Sequence, residues 1–334
     1  MIRSVHIENY KCFRNFDIEL GAFNVIIGPN DCGKTAFLEV LQIANGFGQE
    51  DRLDLNSLFG RSENDPESRF VWQNDPSLEM LIQIRGGKTG AENTPFDLRG
   101  KNHSLSPNPP GDARKTTQRD VIGSLAYYSL DPAELKKPSH ITRDPAELGQ
   151  KGERFPSFLQ EFLLVDRQAF HEMENLFYRR FPAYSGIVLD KGSIGGNLAM
   201  YLSVVNKSGS KLPIHMVSDG AVLSLAVLSI CYQPNPPKIL LLEEPENGVH
   251  HAKLKEIIDT LRDLSQKKGV QVVLTTHSPY LLDLVGPEEV RVFQKDEDGA
   301  VHSRKLSDFP DAEDLKKHFM TGEIWTILAE TQKI

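Results

Sequence analysis

Residues Phe23–Leu41 read FNVIIGPNDCGKTAFLEVL, and no other stretch narrows the choice of folds as far. Phe23–Ile27 is a short apolar run with the pattern of a buried strand, and Phe37, Leu38 and Leu41 recur at helical spacing. Between them lies Gly28-Pro29-Asn30-Asp31-Cys32-Gly33-Lys34-Thr35. Strand, glycine-bearing loop and helix thus follow in the order that a Walker A phosphate loop requires. Such a loop surrounds an anion with successive backbone N–H groups and a helix N-terminus. Asn30, Asp31, Cys32, Gly33, Lys34, Thr35 and Ala36 are the residues placed to take part. Lys34 would bring positive charge to the outer phosphates and the Thr35 hydroxyl would ligate Mg²⁺, so ATP and Mg²⁺ are the expected ligands.

Three further segments supply what such a site needs. Ile239–Leu242 is an apolar run ending in Glu243-Glu244, the form of a Walker B strand. Glu243 is expected to hold Mg²⁺ through water and Glu244 to polarise the attacking water, since alternation along a strand lets neighbouring carboxylates do different work. Thr275-Thr276-His277-Ser278-Pro279 closes another strand. His277 there could reach the terminal phosphate or only help start the next helix; phosphate sensing is the expected role, because Ser278 or Thr276 could cap unaided. Ser218-Asp219-Gly220 precedes an apolar helix over 221–232, and a hydroxyl, a glycine backbone and a helix N-terminus make a second anion site. Lys34 already serves the γ-phosphate of its own chain. The economical arrangement is a homodimer held together by ATP, with Ser218 and Gly220 of one copy facing the nucleotide on Lys34 of the other.

Along the rest of the chain, strands are expected over 2–8, 14–20, 78–85, 121–130, 187–189, 198–205 and 212–215. A helix is expected over 34–45, a short one near 53–59 and two within 155–181. Strands over 238–242, 270–274 and 290–293 then alternate with helices over 250–267 and 280–284, which implies a parallel-sheet core. Two short helices in 311–330 would pack Leu315, Phe319, Ile324, Trp325 and Leu328 back on the domain. Gly86–Asp120, with its glycines, prolines and the basic residues Lys88, Arg99, Lys101, Arg114, Lys115 and Arg119, reads as an exposed, mobile insertion. These residues, with Lys207 and Lys211, make DNA a candidate partner. The expected division is a lobe over 1–130 with the Walker A loop, a short helical insert over 131–190, and a lobe over 191–334 carrying the other motifs.

A net charge of −8 argues against a uniformly basic nucleic-acid binder. Cys12, Cys32 and Cys231 are odd in number and far apart, so they read as reduced thiols in a cytoplasmic protein. Cys32 lies inside the loop, where alkylation would block nucleotide binding unless the residue is simply a small one that fits. No apolar stretch reaches transmembrane length and the N-terminus has no export signature, so no membrane partner is expected.

Taken together, these segments resemble the RecF/SMC-like branch of ABC-type ATPases, and within it the bacterial ATPases related to the amino-terminal domain of OLD-family proteins. The resembling stretches are Tyr10–Phe16, Gly28–Thr35, Leu148–Phe162, Ser218–Gly220, Glu243–His251, Thr275–Pro279 and Thr321-Gly322-Glu323-Ile324-Trp325. The resemblance implies an α/β, ABC-type P-loop NTPase with a mixed-sheet nucleotide-binding lobe, in which a helical insert near Leu148–Phe162 replaces the coiled coil of larger relatives. It implies Lys34 and Thr35 as nucleotide and Mg²⁺ ligands, Glu243 and Glu244 as the Walker B pair, Ser218 and Gly220 as the signature offered to a second copy, and His277 as a switch.

The chain departs from the pattern at three places. Asp31 stands where many relatives have glycine, Asp219 stands in place of the signature's second glycine and implies slow turnover, and His251 replaces a commoner proline. Gln73, Gln83 and Gln168 are candidates for the lobe-bridging glutamine. Nothing after residue 310 matches the acidic Toprim nuclease domain of full OLD proteins, so a stand-alone ATPase is expected. The resemblance implies that it gates or positions a nuclease or toxin effector in DNA repair or anti-phage defence. An ATP-dependent DNA-binding clamp and a slowly hydrolysing scaffold for a toxin or nuclease are the alternatives, and membrane transport is disfavoured.

Overall fold

The computed structural model describes residues 1–46, 53–59, 70–75, 77–86, 95–108, 123–142 and 144–330. In chain order its strands are β1 Ile2–Tyr10, β2 Phe13–Glu19, β3 Phe23–Ile27, β4 Leu53–Asp54, β5 Met80–Gly86, β6 Pro95–Lys101, β7 Ser104–Asn108 and β8 Leu125–Tyr128. They continue with β9 Ser139–His140, β10 Tyr184–Ile194, β11 Asn197–Asn206, β12 Lys211–Pro213, β13 Ile239–Glu243, β14 Gln271–Thr276, β15 Val290–Lys295 and β16 Val301–Lys305. The helices are α1 Lys34–Gly46, α2 Leu55–Leu58, α3 Pro132–Leu135, α4 Phe155–Val165, α5 Arg167–Arg180, α6 Asp219–Tyr232, α7 His251–Lys268, α8 Pro279–Leu282, α9 Ala312–Leu315 and α10 Thr321–Glu330.

Contacts group the chain into two units, Met1–Ala126 with Pro237–Leu241 and Gly269–Ile334, and Tyr127–Pro236 with Leu242–Lys268. Two of the four boundaries fall inside strands, one within β8 and one within β13.

In the first unit, one sheet has the order β2-β1-β5-β6-β7-β4 and is antiparallel throughout. The alternation in the sequence sets its register: Val5 faces Ile18 and Ile7 faces Phe16, all four buried. The other sheet has the order β16-β15-β3-β14-β13-β8. β3 is parallel to both β14 and β15, whereas β16 is antiparallel to β15, which makes the sheet mixed. All five residues of β3 are buried, as a strand with paired neighbours on both sides and cover on both faces demands.

The ring of Phe293 lies 5.2 Å from that of Phe16 and 5.7 Å from that of Phe37, so β2, α1 and β15 share one aromatic core. Each such pair adds about 0.5–1.5 kcal/mol beyond its buried area. Two polar ties reinforce it. Gln271 bonds the Ile2 N–H and carbonyl at 2.8 and 2.7 Å and the Gly21 carbonyl at 2.7 Å. Glu39 on α1 accepts from Lys11 Nζ at 2.5 Å and from the Tyr10 hydroxyl at 3.1 Å.

Part of the expected mobile insertion is ordinary sheet. Residues 95–108 form the β6–β7 hairpin and extend β5, because Phe96, Leu98 and Leu105 all turn inward and are buried. Arg99 and Lys101 are exposed on β6, whereas Lys88, Arg114, Lys115, Arg119, Val121 and Ile122 lie outside the described residues. At the C-terminal end Ile324 and Leu328 are buried as expected, but Phe319 is 42% exposed.

In the second unit, α4 and α5 form a helical pair, with Asp166 ending the first and capping the second through the Ala169 N–H at 2.9 Å. The insert is shorter in helix than expected: Leu148–Arg154 is not helical, because Arg154 holds φ 65 and Pro156 fixes the start of α4 behind it. β10 and β11 pair over their whole length. Eleven residues of α6 are buried, so this helix has no polar side, matching its sequence. Lys253 on α7 donates to the Arg180 carbonyl at the end of α5, 2.7 Å away. Among the described residues no helix is long and apolar enough to cross a membrane.

Candidate functional site

The first unit carries the phosphate loop at the C-terminal end of β3. Gly28 is buried, and a Cβ there would lie 2.4 Å from the Phe293 carbonyl oxygen. Gly33 takes φ +83, and a Cβ there would lie 2.5 Å from Cys12 Sγ and 3.1 Å from the Phe13 ring. The loop is therefore backed by β2 and β15 so closely that only glycine fits at these two points. Asp31 takes φ 62, a left-handed conformation that aspartate tolerates at some cost. Asn30, Asp31 and Thr35 are exposed on the outer side, and Ala36 is half-buried.

Lys34 is only 6% exposed, and its Nζ donates to the Gly28 and Pro29 carbonyls at 2.9 and 2.8 Å. A buried ammonium needs such partners, and phosphate oxygens can take their place. The first turn of α1 holds no acidic residue, so the positive end of the helix dipole is not cancelled locally. Cys32 is 2% exposed and burial pushes its thiol up; the same effect takes Cys12 to about 11. Both thiols stay protonated, so Cys32 acts as a small filler of the loop rather than a reactive handle.

The parallel register of β3 and β14 pairs Thr275 with Ile26 and Thr276 with Ile27. Both strands thus end level, and Gly28 and His277 leave the sheet side by side. Thr276 Oγ1 accepts the Ser278 N–H at 2.9 Å, while the Ser278 side chain makes no capping bond to α8. The turn is braced by Thr276, and the His277 side chain is exposed.

The second unit carries the acidic pair and the signature. Glu243 ends β13 and accepts the Tyr127 hydroxyl at 2.5 Å. Glu244 takes φ 45, a left-handed conformation that costs a non-glycine residue about 1–2 kcal/mol. Asn247 holds it there, with its N–H on the Glu244 carbonyl at 3.0 Å and its side-chain amide on Oε2 at 2.7 Å. Ser218 is the exposed N-cap of α6 and its side chain makes no capping bond. Gly220 lies in the first turn, where an added Cβ would come 3.7 Å from the Gly248 carbonyl oxygen.

Asp219 is ion-paired with Lys136, 2.5 Å away, so the acid beside Ser218 carries its own counter-charge. Tyr127, Lys136 and Asn247 were not singled out from sequence. Only Asn247, three residues from Glu244, left a local trace. Of the glutamine candidates, Gln83 donates to Asp97 at 3.1 Å and Gln168 to Glu172 at 3.3 Å, while Gln73 sits in a tight turn at φ 50.

A family model described as "AAA domain, putative AbiEii toxin, Type IV TA system" matches residues 93–283, more than half of the chain. The chain belongs to this AAA family. A second model, "AAA ATPase domain", matches residues 1–70 of the AAA chain and includes the phosphate loop. The AAA protein is therefore an ATPase.

Its fold is similar to that of solved SMC heads. One is the SmcHead bound to the C-winged helix domain of ScpA, with TM-score 0.59, 16% identity, and coverage of 91% of this chain and 96% of that one. Another is an Smc head with an extended coiled coil bound to the C-terminal domain of ScpA derived from Pyrococcus furiosus, with TM-score 0.60, 13% identity and 99% of each chain. The SMC head domain from Thermotoga maritima gives TM-score 0.53 at 12% identity, over 91% and 98% of the two chains. A curated relative, "Uncharacterized ABC transporter ATP-binding protein YhcH" of Bacillus subtilis (strain 168), is 34% identical over 59 residues. That match covers 18% of this chain and 19% of the relative.

Proposed function

We propose that this AAA ATPase is a nucleotide-gated switch, in which Mg²⁺-dependent ATP hydrolysis by a head-to-tail homodimer controls an effector of nuclease or toxin type. The level ends of β3 and β14 carry the proposal, since they put a phosphate loop and an exposed histidine at one edge of one sheet. Lys34 exchanges its two loop carbonyls for the outer phosphate oxygens. His277 donates to the γ-phosphate. Glu244, braced by Asn247, orients and deprotonates the attacking water.

The tight glycine cradle and the Thr35 hydroxyl beside it suit a Mg²⁺–triphosphate. Among the described residues no group of three or more His, Cys, Asp and Glu could hold a metal by itself. By their motifs, Thr35 and Glu243 are the residues that would share the ion with phosphate, the usual habit of Mg²⁺. When bound, the ion would neutralise charge on the β- and γ-phosphates. Ser218 and Gly220 would reach the nucleotide of the second copy, which accords with an exposed hydroxyl that caps nothing in its own chain.

The motifs of the OLD-like group support this assignment, and the family description, which names a toxin and a Type IV TA system, supports an effector of that kind. Turnover of wild type and Glu244→Gln, with size followed by light scattering, tests it. The variant should lose about 100-fold or more in kcat while still binding ATP, and ATP should convert monomer into dimer. Unchanged turnover, or a monomer indifferent to nucleotide, refutes the proposal.

A further inference from the structure

We propose that α10 is the positioning element for His277, acting through a clamp between Gly322 and Asp283. This rests on the assignment of His277 to the γ-phosphate. Only Ser278 separates His277 from α8, a single turn, and a helix that short does not hold its own shape. What holds it is α10. The Gly322 N–H donates to Asp283 Oδ1 at 2.8 Å, and the Thr321 hydroxyl donates to the Val285 carbonyl at 2.7 Å in a buried bond. A Cβ on Gly322 would lie 2.3 Å from the Pro279 carbonyl oxygen and 2.8 Å from Asp283 Oδ1, so the first turn of α10 rests directly on the backbone of α8. Ile324 and Leu328 anchor α10 from its buried side.

His277 is thus mounted between two fixed points. On one side the last residue of β14 braces the turn through Thr276 Oγ1, and on the other α10 grips the helix that begins two residues later. The backbone that carries the exposed imidazole is thereby held on both sides. The Thr321–Trp325 segment, which no step of hydrolysis uses, thereby acquires a task. Loss of the clamp should leave nucleotide binding intact and slow the chemical step.

Steady-state kinetics of wild type, Asp283→Ala, Asp283→Asn, His277→Ala and the double variant Asp283→Ala/His277→Ala test this. Asp283→Ala should lower kcat about tenfold, with KM for ATP within about twofold of wild type. Asp283→Asn keeps an acceptor oxygen and should recover most of kcat. Asp283→Ala should cost nothing more once His277 is gone, because both act through one group. Gly322→Val, which pushes on Pro279 instead, should reproduce the kcat loss. If His277→Ala is impaired but Asp283→Ala turns over normally, or if the two losses multiply, the clamp is overturned while the assignment of His277 stands. If His277→Ala retains full kcat, that assignment falls and the clamp proposal with it.

Discussion

Gly33→Ala is the sharpest test of how the phosphate loop is built. Two costs arise at the same atom. The backbone sits at φ +83, where an L side chain meets its own carbonyl, at about 1–2 kcal/mol. The new methyl also arrives 2.5 Å from Cys12 Sγ and 3.1 Å from the Phe13 ring. The thiol can turn aside, but Phe13 is wedged against Phe16, with ring centres 4.4 Å apart, and against Phe293 at 6.4 Å. Overpacking of this kind costs about 1–3 kcal/mol. The total, about 2–5 kcal/mol, must appear as lost stability, or as a displaced loop that binds ATP poorly.

Urea unfolding with an unchanged slope reads the first and equilibrium titration of ATP the second. Cys12→Ala added to Gly33→Ala should return less than about 1 kcal/mol, because the thiol can turn aside, and should leave the backbone strain and the Phe13 contact in place. A Gly33→Ala protein within about 0.5 kcal/mol of wild type that binds ATP normally would refute the account of the loop.

Glu39→Ala should destabilise the fold by about 3 kcal/mol, because it leaves the Lys11 ammonium largely covered without its partner. Replacing both residues with apolar ones should recover most of that loss in urea unfolding. Burial alone would lower the His6 pKa, but hydrogen bonds to Glu8 and Asp17 outweigh it and raise the value above 6.5. Its contribution to stability is then complete below pH 6.5 and disappears as pH rises through the folded pKa; unfolding midpoints across that window should flatten in His6→Gln. Lys136→Ala strips the counter-charge from Asp219 beside Ser218. ATP-induced self-association should weaken about two- to fivefold by light scattering, a size set by the exposure of the pair, and unaltered association would count against the signature's role.

The parts read correctly from sequence are those whose signal is local. β3, the loop and α1 are contiguous, and the all-apolar α6 admits no place but the interior. What escaped notice depends on partners far along the chain. The hairpin of 95–108 was hidden by its glycines and lysines, since Phe96 and Leu98 are a thin signal until β5 lies beside them. Expected only over 187–189, β10 runs over Tyr184–Ile194 because β11 supplies ten residues of pairing that its own Gly186 and Gly192 argue against. Tyr127 meets Glu243 across 116 residues and Lys136 meets Asp219 across 83, separations at which no spacing rule operates.

The place of β3 between β14 and β15 has a consequence for how the protein is born. The strand that carries the phosphate loop leaves the ribosome well ahead of both of its lateral neighbours, which lie beyond residue 270. At an elongation rate of about 5–20 residues per second it waits on the order of 10–50 s with two open hydrogen-bonding edges. Interrupted translation would therefore release fragments that cannot grip ATP and that expose a ready template for unwanted association.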